Sequence, residues 1–245
     1  MDNELLLITG RDIPFIEAQI TIHQPRLYEI SFIGEENFLA GCQFINFTKD
    51  KINEEDRIGL EDKSDFEIFM SIMCSKEKIP YKESVRLLFS LIFPDYQVKF
   101  TPDVILLASK DNSTRIDVQN YDVFKDILNS MFCLKDSDTG GKDYNPIDDR
   151  AAKIANKFRK RKEKIAQIKG DSKKVAIFSR YISILATGLH MDINIFNNYT
   201  VFQLKDQIKR FLMNMEYNNY LENIRAGADS SKMGEIDNWM EDIHP

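Results

Sequence analysis

The stretch of residues 175–215 constrains the fold more than any other part of the chain. Residues 175–189 (VAIFSRYISILATGL) are apolar on nearly every face, which predicts a helix enclosed by other elements. With Arg180 inside it, this run is too short and too charged to span a membrane, which takes roughly twenty apolar residues. Thr200 and Gln203 have the spacing of a capping box, so a second helix is predicted to follow Thr200. The two helices are predicted to be a packing unit with no evident chemistry.

The composition predicts a folded protein with a substantial core. Of 245 residues, 43% are hydrophobic and 11% are aromatic, which is too many for a globally disordered chain. The net charge of −6 and the pI of about 5.3 give no general attraction to nucleic acid. The first residues lack the basic start of a signal peptide, so a soluble cytoplasmic protein is expected. Three separated cysteines without a CxxC spacing are predicted to be buried thiols in a reducing compartment: Cys42, Cys74 and Cys133.

The N-terminal half has the pattern of an α+β domain with an antiparallel sheet and helices. Alternation of apolar and polar residues predicts strands, and apolar residues spaced by three and four predict helices. The predicted strands are residues 5–8, 16–22, 97–100, 104–108 and 114–118. The predicted helices are residues 27–33, 38–47, 66–73, 81–93 and 120–134. This grouping is typical of a single α+β domain over residues 1–134.

The rest of the chain divides by composition into three segments. Residues 135–147 (KDSDTGGKDYNPI) are rich in Asp, Gly, Ser and Asn, which is typical of a linker. Residues 148–228 carry only helical patterns and are predicted to form an all-α helical domain. Residues 229–245 are predicted to be a C-terminal tail that starts with a polar spacer and ends in a short amphipathic helix.

Motifs for catalysis, phosphate binding or metal binding are incomplete. Residues 140–142 (GGK) lack the other residues of a Walker sequence. Residues 136–138 (DSD) resemble the start of a calcium loop, but Ile147 stands where the bidentate carboxylate is needed. Three histidines lie far apart, without the spacing of metal ligands: His23, His190 and His244. The sequence therefore predicts a protein that is not an enzyme and has no metal or cofactor.

Charge is distributed unevenly along the chain. Residues 150–174 contain eleven basic and two acidic residues, a net charge of +9, which leaves −15 for the rest. Such a segment could follow a phosphate backbone, could be the solvated face of a helix, or could pair with acidic surface on the same chain or another copy. Phe158 is its only aromatic residue, which argues against base stacking on single strands. The densest basic patch is Arg159, Lys160, Arg161, Lys162 and Lys164.

The C-terminal tail has the pattern of a partner-binding peptide. Its apolar residues fall at i, i+3, i+4 and i+7 on one face of a short helix: Ile236, Trp239, Met240 and Ile243. Acidic residues cover the other side of that helix. A short amphipathic helix anchored by tryptophan is the usual form of a groove-binding peptide. The alternative is that the tail folds back and caps the helical domain of its own chain.

The C-terminal third also carries a family resemblance. The matching strings are DDRAAKIANKFRKRKEKIAQIKG, YISILATGLHMDINIFNNYTVFQLKDQIKRF, RAGA and DNWMEDIH, about two fifths of the chain. They resemble tail assembly chaperones and small tail-assembly proteins of long-tailed bacteriophages of Gram-positive bacteria. The resemblance does not extend to the N-terminal half.

The resemblance implies a function and a set of partners. It implies a non-enzymatic protein of the host cytoplasm that keeps the long, helical tape-measure protein soluble until tail-tube proteins assemble around it. Homo-oligomerisation through the opposed charges of the chain is also expected, and binding to a membrane is not. Two alternatives stay open: a nucleic-acid-binding protein that uses the basic segment 150–174, and a structural component of the virion or baseplate.

Overall fold

The fold is described from a computed structural model. It describes residues 3–49, 62–76, 79–110, 112–134, 177–228 and 239–240. The helices in these ranges are α1 (Asn3–Thr9), α2 (Leu27–Ile33), α3 (Glu35–Ile45), α4 (Asp65–Cys74), α5 (Pro80–Ile92), α6 (Tyr121–Phe132), α7 (Ile177–Leu189) and α8 (Val201–Arg225). The strands are β1 (Ile13–Phe15), β2 (Ile20–Ile22), β3 (Gln97–Phe100), β4 (Ile105–Ala108) and β5 (Ser113–Ile116). Short 3-10 helices lie at Ile16–Ala18 and Ile193–Asn198.

The predicted α+β fold with antiparallel pairing is confirmed. β1 and β2 form a hairpin in which Ile13 is opposite Ile22. β3, β4 and β5 form an antiparallel sheet in sequence order. Each strand of this sheet lies within two residues of its predicted bounds. Ile105 and Leu107 of β4 are buried, because alternate side chains of a strand point to the same face of the sheet.

Two strands predicted near the N-terminus are wrong. Residues 5–8 lie in α1, because four apolar residues in a row fit a helix as well as a strand; in α1 only Leu7 is buried. Residues 16–22 start as a 3-10 turn and become a strand only in their last part. Gln19 has a left-handed conformation (φ 55°), and its main-chain N–H donates to the carbonyl of Ile16. This turn breaks the strand that the alternating pattern predicts.

Helix α5 lies at the centre of the core, as its heavily apolar sequence predicts. Val85, Leu88 and Phe89 are completely buried. Helix α3 packs closely on α5, since a Cβ at Gly41 would lie 2.8 Å from the carbonyl oxygen of Ser84. Only glycine allows this approach of the two helices. Aromatic rings from other elements complete the core around Phe89, with centroids 5.2 Å away at Phe100 and 5.6 Å away at Phe124.

Helices α7 and α8 bury their apolar residues in the same core as the N-terminal half. The residues of this region that join the core are Phe178, Leu185, Phe196, Val201, Phe202, Leu204 and Ile208. The prediction that the first of these two helices is enclosed on all sides is wrong. In α7 only Phe178 and Leu185 are buried, and Ile177, Ile184 and Leu189 are exposed.

The predicted helix start at Thr200 is confirmed. The Thr200 hydroxyl accepts a hydrogen bond from the main-chain N–H of Gln203, and the Gln203 side chain accepts one from the N–H of Thr200. These two bonds satisfy donors that have no partner inside the helix. α7 and α8 pack closely, because a Cβ at Gly188 would overlap the ring of Phe211.

The chain is organised around the joint core of residues 1–134 and 177–228. Residues 1–134 and 177–228 fall into one compact unit. The predicted linker, the first part of the predicted helical domain and most of the tail lie outside the described residues. The division into four predicted segments therefore stays a prediction.

Candidate partner-binding site

Trp239 and Met240 are the predicted partner-binding residues that the structure describes. The main-chain carbonyl of Trp239 accepts a hydrogen bond of 2.9 Å from Nη1 of Arg210 on α8. Trp239 is partly buried, whereas Met240 is 67% exposed. The other predicted site residues lie outside the described part of the chain: Ile236, Ile243, Arg159, Lys160, Arg161, Lys162 and Lys164.

Arg210 is held in place by a buried carboxylate. Its Nε donates to Oδ1 of Asp206, one helical turn earlier on α8, at 3.1 Å. The Asp206 side chain is 3% exposed, and that of Arg210 is 32% exposed. A buried carboxylate is costly unless it is paired, so this ion pair is fixed in position. The guanidinium group can thus reach Asp206 and Trp239 at the same time, since its donors form a planar fork.

The second half of α8 extends beyond the core. The buried residues of α8 all lie between Val201 and Ile208. Beyond them the helix continues to Arg225, a rise of about 25 Å. Leu212 and Met215 are about half exposed on this part, at 48% and 47%. A stripe at helical steps of three and four runs along it: Met213, Tyr217, Tyr220 and Ile224.

A second apolar surface lies on α2. Tyr28 and Phe32 are one turn apart and form an edge-to-face pair with ring centroids 6.4 Å apart. Phe32 is 82% exposed, the highest value among the large hydrophobic residues that the structure describes. Helix α2 contacts the 3-10 helix at 193–198, where Ile193 and Ile195 are also exposed. Exposed apolar side chains on two elements in contact are typical of protein-binding surfaces.

Arg26 links this surface to the C-terminal helices. Its guanidinium donates to the carbonyl of Asn198 at 2.8 Å and to that of Gly10 at 2.9 Å. The main-chain N–H of Leu27 donates to the carbonyl of Tyr199 at 2.9 Å. These bonds place the start of α2 against the end of the 3-10 helix, so the exposed side chains of both elements are held in a fixed arrangement.

Two charged side chains cap helix ends that lie in a distant part of the chain. Glu35 of the N-terminal half caps the start of α7, and Lys205 of α8 caps the end of α6. The Glu35 carboxylate accepts the main-chain N–H groups of Ile177 and Phe178 at 2.6 and 3.0 Å. Lys205 Nζ donates to the carbonyls of Phe132 and Cys133, at the end of α6, at 2.8 and 3.0 Å. A carboxylate at a helix start and a cation at a helix end both agree with the helix dipole.

His23 has a structural role in this arrangement. Its Nδ1 lies 2.9 Å from Asp12 Oδ1, and its Nε2 lies 3.2 Å from Glu29 Oε2. Glu29 also accepts the main-chain N–H of Arg26 at 2.6 Å. His23 therefore connects the chain before β1 to the first turn of α2, and both ring nitrogens are used in doing so.

Other reactive groups lie inside the core. Burial raises the pKa of the Cys42 thiol well above its ordinary value, which keeps it protonated and unreactive. Burial likewise raises the pKa of Tyr121, with smaller contributions from Asp65 and Asp122. The prediction of buried thiols is confirmed for Cys42 and Cys133 and wrong for Cys74, which is exposed.

One cavity in the described residues is polar and open to solvent. An open polar cavity of about 550 Å³ lies beside β5, where Arg115 Nε is paired with Asp117 Oδ2 at 3.2 Å. No group of three or more His, Cys, Asp or Glu side chains is placed to hold a metal ion in the part of the chain described. None of the helices in the described ranges has the length and hydropathy that crossing a bilayer requires.

Comparison with known families places a similarity in the C-terminal part of the chain. Residues 170–244 match the family model of the YomV second domain, which is phage-associated. This segment includes α7, α8 and the tail with Trp239, and it is a little under a third of the chain. The C-terminal segment is thus similar to a phage-associated domain. No curated protein and no solved structure matches the chain.

Sequence patterns do not reveal Arg210 or the α2 surface as functional candidates. The Asp206–Arg210 spacing of four is a weak signal of an ion pair on one helix face. Tyr28 and Phe32 share the same spacing, but two apolar residues four apart do not by themselves indicate an exposed surface. The exposure of these residues depends on contacts between distant parts of the chain.

Proposed function

We propose that this protein is a non-enzymatic tail assembly chaperone. It binds a long helical client of the tape-measure class and covers the client's apolar seam until the tail tube assembles. It acts in the host cytoplasm, uses no cofactor, and works through apolar helical surfaces and the amphipathic tail. Long helices with an uncovered apolar seam aggregate, so covering that seam is the physical task.

The observation that carries the proposal is the set of apolar side chains left uncovered on helices. Phe32 on α2 and Leu212 and Met215 on α8 are exposed while the core beneath them is complete. Apolar residues at steps of three and four along a helix match the seam of a second helix. The similarity of residues 170–244 to a phage-associated domain supports a phage setting for this activity.

The test is co-purification of a tape-measure-type client with variants of this protein. Trp239→Ala combined with Met240→Ala should abolish co-purification and leave the fold intact, because the tail loses its apolar anchors. The matched control is Ile16→Ala combined with Val118→Ala, which removes two exposed apolar side chains elsewhere. Unchanged co-purification by the tail variant would exclude the tail as a binding element.

A permanent role in the virion makes a different prediction. An assembly chaperone should be absent from purified particles, whereas a tail or baseplate component should be present in them. Mass spectrometry of particles, with the tape-measure protein as the positive control, separates these two roles.

A further inference from the structure

The Arg210–Trp239 contact joins the tail to the half of α8 that extends beyond the core. The bond is charge-assisted on the donor side, and such bonds are stronger than those between neutral groups. Asp206 orients the donor from the opposite side, at 3.1 Å. The acceptor is a main-chain carbonyl, so Arg210 holds the path of the tail at residue 239 whatever side chain stands there.

The length of the tail allows it to return along α8. The chain leaves the helix at Gly227, whose φ of +93° turns it away from the helix axis. Eleven steps of chain from Ala228 to Trp239 can span up to about 36–40 Å. Arg210 lies fifteen residues before Arg225, a rise of only about 22 Å. Trp239 can therefore lie at Arg210 without strain in the connection.

The exposure of the two described tail residues differs in a way that fits docking. Trp239 is partly buried, whereas its neighbour Met240 is 67% exposed. A freely solvated tail would expose both side chains. The apolar stripe on the second half of α8 begins at Met213, one turn after Arg210, and supplies a surface of matching chemistry on the same side of the helix.

We infer that the tail docks on α8 at Trp239 in the free protein, with Arg210 as the anchor, and that this docking competes with client binding. The occupant of the stripe is this chain's own tail. The competition rests on the proposed function, because the docked tail is the segment that the client needs. The docking itself is independent of any client.

Fluorescence of the full-length chain tests the docking. Trp239 is the only tryptophan in the sequence, so intrinsic emission reports the environment of the tail alone. Arg210→Lys keeps a positive charge beside Asp206 but lacks the fork that reaches both partners. We expect Arg210→Lys to shift the emission to longer wavelength and to increase quenching by acrylamide. Arg225→Lys, the same change at an exposed site on the same helix, should do neither.

Unchanged emission and quenching in Arg210→Lys would overturn the docking. Circular dichroism confirms that the variant is folded. Arg210→Gln, which keeps a donor for Asp206, is the second variant and should give the same fluorescence change. A change in Arg225→Lys as large as that in Arg210→Lys would also overturn the assignment of Arg210 as the anchor.

Binding to a model helix tests the competition. The probe is a fluorescein-labelled synthetic helix of about four heptads with an apolar seam, followed by anisotropy. Because one hydrogen bond from a charged group holds the tail, Arg210→Lys should lower the Kd for the probe by roughly ten- to a hundredfold. An unchanged or raised Kd would overturn the competition. Absence of binding by every variant would overturn the proposed function and the competition, and fluorescence would still decide the docking.

Discussion

Truncation of Leu204 tests whether the two halves of the chain share one core. Leu204 lies on α8, is completely buried, and belongs to the core cluster that includes residues of the N-terminal half. Leu→Ala at a buried site costs about 2–5 kcal/mol, through lost transfer energy and a residual cavity. With an m-value of about 2 kcal/mol/M in urea, a loss of about 3 kcal/mol lowers the unfolding midpoint by about 1.5 M.

The assay is urea unfolding of the full chain, followed by far-ultraviolet circular dichroism and by Trp239 fluorescence. If the core is shared, the α-helical signal of the whole compact unit should move to lower urea in Leu204→Ala. Leu212→Ala is the matched control, because it makes the same change on the same helix at a site 48% exposed. Its free energy of unfolding should stay within roughly 0.5 kcal/mol of wild type, which is a midpoint change of about 0.25 M at most. The shared core would be refuted if Leu204→Ala lowered the urea midpoint no more than the control does. It would also be refuted if most of the helical circular dichroism signal still unfolded at the wild-type midpoint.

Three further predictions concern reactivity, acid stability and nucleic acid. Cys74 is exposed while Cys42 and Cys133 are buried, so a thiol reagent should label one cysteine per native chain and three after denaturation; labelling of Cys42 in the native protein would contradict its burial. Main-chain and hydroxyl hydrogen bonds from Ser64 lower the pKa of Glu67, so its contribution to stability is present above the ordinary value of 4.5 and is lost as the pH falls through the lowered one. The difference in stability between wild type and Glu67→Gln should therefore become smaller as the pH is lowered, as measured by thermal melts. A difference that stays constant with pH would argue against a lowered pKa of Glu67. Titration with salt should reveal little binding to random duplex DNA at any ionic strength; tight binding at low salt with a steep salt dependence would instead favour the basic segment 150–174 as a nucleic-acid site.

Local patterns predict the elements of this fold well. The capping box at Thr200 involves residues three apart, and it has the predicted hydrogen bonds. Helix α5 follows a long, heavily apolar sequence and begins at a proline, whose missing N–H costs nothing at the first helical position. The failure at residues 5–8 has a physical reason as well, since four apolar residues contain too few periods to distinguish a helix from a strand.

Contacts between distant residues account for what the sequence does not predict. Arg26 donates to Asn198, 172 residues away, and Gln203 donates to Ile8, 195 residues away. No periodic pattern within either segment predicts these two hydrogen bonds. Helix α7 is buried on one side only, because its remaining faces have no neighbour among the described elements to cover them. The candidate site depends on such contacts too: the tail pattern predicts an amphipathic helix, but only the fold brings Trp239 to Arg210.

The most direct test of the account is the solubility of a tape-measure-type protein expressed with and without this chain. We predict that the client is found in the pellet when expressed alone and in the soluble fraction, in complex with this protein, when the two are co-expressed. The Trp239→Ala and Met240→Ala double variant should fail to keep it soluble. A client that is equally soluble with and without this protein, or that is rescued equally by the double variant, would contradict the account.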